Sequence, residues 1–378
     1  MTAAPSLVVC SLEGWGDVRR RIRILVDELV GLEQTLRVLY VAPAIDVPYE
    51  LRRGTLHPER GPKLEQVHPR IHVLRPRKWA PRLLGRYADR SLGRQVERTV
   101  TRLGLVDPLL WLNDAAYARF SMKAGWPTIY DVTDDWLLAT LVPRQLKRLV
   151  TNDHLLVARS DAVVVCSPEL ARTRGRSRAV ELIPNGVDVE LFRTPQPRPA
   201  DLPPGTVALY VGSLHQDRVD IQLLVDLAAA RPALQIVLVG PDSLPAGLTA
   251  QLESLGSVHL LGARPYDQIP GYFQHADVVV IPHLVNPFTE SLDPIKAYEC
   301  VAAGRPTVAT PVAGFRELGS PVTVAERADF VATTLATLDA AGASGAVTVA
   351  AAPVATWSDR AGSMNALMHR VRDAGASR

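Results

Sequence analysis

The chain alternates short runs of β-branched and other apolar residues with longer amphipathic or polar segments. In the first half the runs are SLVVCS (6–11), LRVLYVAP (36–43), RIHVLRP (70–76), PLLWLND (108–114), TIYDVTD (128–134), AVVVCS (162–167) and VELIPNG (180–186). In the second half they are TVALYVGS (206–213), LQIVLVGP (234–241), VHLLGA (258–263), VVVIP (278–282) and PTVAT (306–310). Runs that are apolar at successive positions belong to strands covered on both faces, and strands separated by helix-length segments pair in parallel. The pattern predicts an α/β protein of two doubly wound, Rossmann-like domains facing each other across a cleft, with ligands at the carboxyl ends of the strands. Between the halves, TPQPRPADLPPG (194–205) is proline-rich and almost free of core residues, the signature of a linker. The expected domains are therefore 1–193 and 206–353, joined by 194–205. Further on, DAAGASGAVTVAAAP (339–353) reads as a loop or weak helix, and WSDRAGSMNALMHRV (357–371) as a helix within a closing segment, 354–378, that packs back across the junction.

Composition supports two cores and narrows the function. At 378 residues the chain is too long for one ordinary domain, and 47% of it is apolar. A formal net charge of +3 argues against bulk nucleic-acid binding. Cys10, Cys166 and Cys300 are odd in number and far apart, which fits reduced core residues in a cytoplasmic protein. No CxxC or HExxH spacing occurs, so neither a metal nor a cofactor is expected. The start, MTAAPSLVVC, lacks the basic region and apolar length of a signal peptide, and no apolar run approaches the length of a membrane span.

The most informative stretch is ESLDPIKAYECVAAGRPTVAT (290–310). Asp293 and Pro294 predict an N-cap followed by proline at the first helical position, with Ile295 opening a helix that runs to about Ala303. Gly304 is placed to end it, and Pro306 prevents its resumption. Lys296 is then the third helical residue, a placement that costs roughly 0.3–1 kcal/mol against the helix dipole. The placement is rational if an anion docks there, because free backbone N–H groups plus a lysine form a phosphate cradle. Glu299, on nearly the same face, could accept hydrogen bonds from two adjacent ribose hydroxyls. Diphosphate at the helix mouth with ribose beside it describes a nucleotide-sugar site. A solvated Lys296–Glu299 surface pair is the plainer alternative.

With these residues in view, ECVAAGRPTVAT (299–310), VCSPEL (165–170) and LIPNGVDVELF (182–192) resemble, in order and spacing, segments of the retaining glycosyltransferases of the B-type (GT-B) fold. This is the large group 1, family 4-like set that includes glycogen synthase-like and mannosyltransferase enzymes. Members usually carry two glutamates separated by seven residues. Here the position eight before Glu299 is Ser291, flanked by Leu292, Glu290 and Asp293. The form D-P-x-K-x-x-E resembles a subgroup from bacterial envelope-polysaccharide and secondary-metabolite pathways, in which the lysine takes over part of the diphosphate binding. The resemblance implies a nucleoside-diphosphate-sugar donor, retention of anomeric configuration, and Asp293 and Lys296 as the catalytic pair, with Ser291, Leu292 and Glu299 around the donor. Gly212 and Ser213 follow a strand where the family meets the donor. The basic pair usual on the next helix is reduced here to Arg218 in HQDRVDIQLL (215–224).

The first half adds candidates. Gly14 and Gly16 in LEGWGD (12–17) would let a backbone approach a ligand, or make a plain tight turn. Arg21 in VRRRIR (18–23) could neutralise a diphosphate or an acidic acceptor. In YDVTDDW (130–136), Asp131 and Asp134 are candidates for orienting an acceptor hydroxyl, or for capping the next helix. Asn185-Gly186 is a good turn pair whatever the function, and Asn113 and Asp114 lie at another strand end. Arginines at 82, 86, 90, 94, 98 and 102 wind slowly around one helix, offering either peripheral contact with anionic lipid at the inner face of a membrane or a solvated face interrupted by Asp89 and Glu97. The expected reaction is transfer of a sugar from the donor to a saccharide, lipid-linked or small-molecule acceptor held mainly by the first domain, with domain closure excluding water. A nucleotide-sugar epimerase of the same fold and a non-catalytic nucleotide-sugar-binding subunit are the alternatives.

Overall fold

The computed structural model describes residues 4–16, 19–53, 63–79, 85–138, 142–316, 318–344 and 354–376. The chain forms two compact units. The first contains the N-terminal stretch through Gly16, Arg20–Pro184 and the residues from Ser358 onward, and the second is built mainly from Asn185–Trp357.

The first unit is organised on an eight-stranded sheet. Its spatial order is Glu181–Leu182, Ala162–Val165, Thr128–Val132, Leu109–Leu112, Ser6–Cys10, Arg37–Val41, Ile71–Leu74, Leu64–His68. All neighbours are parallel except the last pair. The continuous apolar runs have the burial such strands require: every residue of Ser6–Cys10, Leu109–Leu112, Thr128–Val132 and Ala162–Val165 is buried. Leu64–His68 alternates half-buried and exposed residues and pairs antiparallel at the edge, so it lacks the apolar signal that marks the others. The C-terminal helix belongs to this unit: Asn365 Nδ2 and His369 Nε2 bond Glu33 Oε1 at 3.0 and 2.9 Å, and Arg372 donates to the Ser6 carbonyl at 3.1 Å.

The second unit has a six-stranded, all-parallel sheet in the order Val258–Gly262, Gln235–Val239, Val207–Val211, Val278–Ile281, Thr307–Ala309, Val322–Val324. Separate apolar clusters cover its two faces, one containing Leu209, Val237 and Phe273, the other Tyr210, Leu238 and Phe330. The connections reverse direction at Val207–Val211, which has Gln235–Val239 on one side and Val278–Ile281 on the other. In such sheets the crevice at the carboxyl ends of the two strands flanking the reversal is the natural ligand site.

The division of the chain differs from the expected one. It passes between units at Pro184–Asn185, and the proline-rich segment lies wholly within the second unit. Other loops strap that segment down. Gln196 N donates to Gln274 Oε1 at 2.8 Å, Asp201 pairs with Arg264 at 2.6 Å and accepts from Tyr272 at 2.7 Å, and Leu202 is buried. Prolines leave few backbone donors to satisfy, so a few side chains suffice to hold such a segment in place. The low-complexity stretch begins within a helix, Phe330–Ser344; its remainder, 345–353, lies outside the described residues. So does Arg82, the first arginine of the basic stripe. The helix Gly85–Arg102 buries Leu92, Val96 and Val100 and exposes Arg90, Arg94 and Arg98.

Candidate active site

The helix Ile295–Ala303 starts and stops close to where its sequence dictates. Gly304 sits in the left-handed region at φ 62°, and its N–H caps the Cys300 carbonyl at 3.1 Å. The start differs in detail. Pro294, not Asp293, holds the N-cap position, no side chain caps the helix, and Lys296 is its second residue. Asp293 is committed elsewhere. One carboxylate oxygen accepts from the Asn185 backbone N–H and the other from Tyr298 Oη at 2.8 Å, while the Asp293 carbonyl accepts from the Asn185 side-chain amide. Asp293 therefore clasps the Asn185-Gly186 turn to the helix start, and its expected catalytic part is replaced by a positioning one. Gly186 is required by this packing, since a Cβ there would meet the Thr356 backbone at 2.7 Å.

Leaving its helix, the Lys296 chain reaches the sheet reversal. Its Nζ lies 5.6 Å from the centre of the Tyr210 ring, and its end covers Gly212, directly beyond Val207–Val211. Gly212 is at φ 147°, and a Cβ there would collide with Lys296 Cε and Nζ. Glycine is needed here for its backbone angle, while the lysine end that lies over it is flexible enough to shift. The neighbouring Ser213 carbonyl accepts from Tyr210 Oη at 3.3 Å.

Arg218 joins this group from the turn that follows. Its guanidinium carbon stands 5.2 Å from the Phe288 ring centre. Three bonds stitch the turn to the segment after Val278–Ile281: Leu284 N to Arg218 O at 2.8 Å, Asp220 N to Pro282 O at 2.7 Å, and Asn286 Nδ2 to Asp217 O at 3.2 Å. His283 lies close to both cations. It is 4% exposed, its ring meets Tyr210 and Phe315 edge-on at 6.2 and 6.3 Å, and burial with Lys296 and Arg218 nearby holds its pKa well below the usual imidazole value.

Glu299 is buried rather than solvated, one turn deeper than Lys296. Burial pushes its pKa up to about 7 against the pull of Lys296. Among the described residues no hydrogen bond reaches its carboxylate, so an acceptor poised at neutral pH stands behind a cation. The surface-pair alternative is excluded by this burial. Ser291 and Leu292, expected to face the donor, are turned inward instead. Ser291 Oγ donates to the Phe288 carbonyl at 2.7 Å, Leu292 is buried, and their N–H groups bond Phe288 and Thr289 at 3.1 and 3.3 Å. They finish the short helix Pro287–Glu290, whose start Asn286 and Thr289 cap reciprocally.

The first unit holds the other candidates. Arg21 and Asp131 are corrections to the expectation. Arg21 is 3% exposed, donates to the Ile183 and Pro184 carbonyls at 2.7 and 3.0 Å, and lies 3.7 Å from Asp131. Asp131 is fully buried and accepts from Trp111 Nε1 at 3.1 Å. An ion pair enclosed in this way has neither an anion to neutralise nor a hydroxyl to orient. Asp114 and Asn113 are also structural: Asp114 caps the Ala115–Tyr117 turn, and Asn113 bonds Leu12, Asp131 and Thr133. Asp134 stays half-buried at its strand end. The sequence reading missed its companion, Glu13. This half-buried glutamate accepts from the Ile22 N–H at 3.2 Å, and its pKa is pushed up to about 7 by burial, with Asp134 adding to the rise. Its place beside the loop glycines at a strand's carboxyl end was the available signal. Gly14 and Gly16 themselves have open space where a Cβ would stand, so packing does not demand glycine at either.

The sheet reversal of this Rossmann-like unit thus gathers two cations, Lys296 and Arg218, with the buried carboxylate of Glu299 one turn behind. Residues 205–339 match the model of the family described as glycosyl transferases group 1. The chain is 23% identical over 342 residues, 83% of each chain, to TuaH of Bacillus subtilis strain 168, a putative teichuronic acid biosynthesis glycosyltransferase. Among solved structures it resembles Anabaena Alr3699/HepE in complex with UDP-glucose (TM-score 0.62, 18% identity, 99% and 100% of the two chains). It also resembles an α,α-trehalose-phosphate synthase (UDP-forming) from Burkholderia vietnamiensis (TM-score 0.60, 13% identity, 98% and 93%). Residues 205–339 thus carry a group 1 glycosyltransferase domain, and the chain is a glycosyltransferase with the GT-B fold, of the class that takes sugars from nucleotide-sugar donors. Among the described residues no helix is long and apolar enough to cross a membrane.

Proposed function

We propose that this enzyme transfers a sugar from a uridine-diphosphate sugar to a hydroxyl of a saccharide acceptor, with retention of anomeric configuration and without a metal ion. The observation that carries the reading is the convergence of Lys296 and Arg218 near the strand end at Gly212, with Glu299 one turn behind. Breaking the sugar–phosphate bond leaves negative charge on the diphosphate. Lys296, Arg218 and the uncapped start of Ile295–Ala303 are placed to stabilise it, the task otherwise given to a divalent cation. Glu299 then accepts the ribose hydroxyls. The choice of uridine is supported by the UDP and UDP-glucose complexes of HepE and the UDP-forming name of the trehalose-phosphate synthase, and a saccharide acceptor by the assignment of TuaH.

Incubation of the protein with UDP-glucose and a panel of saccharide acceptors, in chelator, tests all three parts. The expected product is an α-linked glycoside detected by anomeric proton coupling, formed only when acceptor is present. An epimerised nucleotide sugar from donor alone would establish an isomerase instead. Inversion at the anomeric carbon, or activity only on adding a divalent metal, would overturn the corresponding part.

A further inference from the structure

Lys296, Arg218 and Glu299 have work in the proposed reaction, but His283 does not. It follows Pro282 immediately beyond Val278–Ile281, the strand that neighbours Val207–Val211 at the sheet reversal. The backbone fixes its position: its N–H bonds the Ile281 carbonyl at 2.9 Å, and its carbonyl accepts from Thr310 Oγ1 at 2.7 Å. Tyr210 and Phe315 fix the ring with edge-on contacts. Yet Nε2 is buried with no hydrogen-bond partner among the described residues. A buried polar atom left unpaired costs roughly 1–3 kcal/mol, and an apolar residue of similar size could have filled the place without that cost.

The surroundings indicate what would satisfy it. Lys296 and Arg218 are donors only, so neither can pair with an imidazole N–H. With the ring proton on Nε2, the partner is an acceptor that tolerates two cations at close range, which describes an anion. A third cation would add repulsion within the cluster, whereas a neutral imidazole adds a directed donor without adding charge. We propose that His283, with its proton on Nε2, hydrogen-bonds the terminal phosphate of the bound nucleoside diphosphate and thereby sets the preference of this site for diphosphates over monophosphates. The inference rests on the nucleotide-sugar reading. Nε2 is shielded from solvent, so the bond requires the side chains around it to shift as the nucleotide binds.

The test is isothermal titration of UDP and UMP into the parent, His283→Phe and His283→Gln, with kcat and KM for the donor alongside. A hydrogen bond to a charged group implies that His283→Phe loses about 10- to 100-fold in UDP affinity, while UMP affinity changes by less than about threefold. His283→Gln, which keeps an N–H donor near the same place, should recover most of the UDP affinity. Equal affinity of His283→Phe and parent for UDP overturns the proposal. So does an equal loss for UDP and UMP that His283→Gln fails to restore, which would mark a packing role. If His283→Phe does not fold, His283→Ala takes its place in the same comparison. Failure of the parent to bind UDP, GDP and TDP alike would remove the nucleotide-sugar reading itself. A parent that binds one of them, with no change on substitution, removes only the part given to His283.

Discussion

The two units use one architecture and treat their strand ends in opposite ways. In the first unit, Asn113 fills the reversal between Ser6–Cys10 and Leu109–Leu112 by bonding Leu12, Asp131 and Thr133. Arg21 is matched by Asp131 and by two carbonyls, and Arg174 by Asp135 at 2.8 Å and Asp153 at 3.4 Å. In the second unit, two cations, Lys296 and Arg218, gather around His283 at one strand end. There His283 Nε2 is buried without a hydrogen-bond partner among the described residues, as Asp131 Oδ1 and Arg174 Nε are in the first unit, but cations rather than a carboxylate stand beside it. Charges that meet their opposites inside the fold offset the cost of their own burial. Buried polar groups without partners, set beside gathered positive charge, are a cost that a ligand can offset. Buried atoms without hydrogen bonds occur in both units, so what sets the second apart is charge: its two cations gather around a neutral imidazole, whereas the buried arginines of the first face carboxylates.

Substitutions that exchange the expected losses would break this contrast. The largest effect on stability belongs to Arg21→Met, which leaves Asp131 buried and uncompensated and removes donors from the Ile183 and Pro184 carbonyls. Loss of one partner of a buried pair costs about 3–5 kcal/mol, read as a lower midpoint in urea unfolding. UDP affinity of the folded protein should not change; a fall in affinity with stability intact would return Arg21 to the donor site. Lys296→Met should do the reverse. Lys296 is only half-buried, so the folded state loses little, while stabilisation of the leaving diphosphate falls. The expected loss in kcat is about 100- to 1,000-fold, the range for removing one preorganised charge-stabilising donor. Unfolding midpoints within experimental error of the parent would complete the contrast, and a full-rate Lys296→Met enzyme would end the assignment.

Much of the fold is legible in the sequence because parallel, doubly covered strands leave continuous apolar runs. The apolar runs all contain strands of the two main sheets. What the pattern misses is what lacks that cause: the half-exposed edge strand Leu64–His68, the short Val322–Val324, and the unit boundary, which proline content alone placed too late. The site is legible where one residue's conformation explains its identity, as with Gly304, Gly212 and the Lys296–Glu299 pair on one helix face. It is illegible where the role depends on which distant residue arrives. Asp293 looks like a cap until Asn185 and Tyr298 occupy it, and Asp131 looks like a functional carboxylate until Trp111 and Arg21 enclose it. His283 carries no local signal at all; only the joining of its strand end to Tyr210 and the two cations gives it a role.

The subtlest expected effect concerns protons on Glu299, and its sign decides whether this carboxylate is a ribose ligand. In the free protein burial lifts its pKa from 4.5 to about 7, so the folded state holds a proton that the unfolded chain releases near 4.5. Its contribution to stability is therefore greatest at low pH and is lost as pH rises through about 7. Ribose hydroxyls donate best to the ionised carboxylate, so a nucleotide that uses Glu299 must expel that proton when it binds below neutral pH. Affinity for UDP should then strengthen as pH rises from about 6 to 8, by up to about tenfold per unit below the pKa, with proton release visible as buffer-dependent heat. Two effects compete. Hydroxyl donors lower the pKa of Glu299, whereas phosphate charge, or withdrawal of Lys296 toward the phosphate, raises it. Glu299→Gln separates them, because titration of the ligand's own phosphate is common to both proteins and cancels in the comparison. The variant should bind UDP about tenfold more weakly than the parent at about pH 8, as expected for lost hydrogen bonds to a charged group, and nearly equally at about pH 6. A parent whose affinity instead weakens as pH rises, relative to Glu299→Gln, would mean that phosphate repulsion governs Glu299 and that the ribose is held elsewhere.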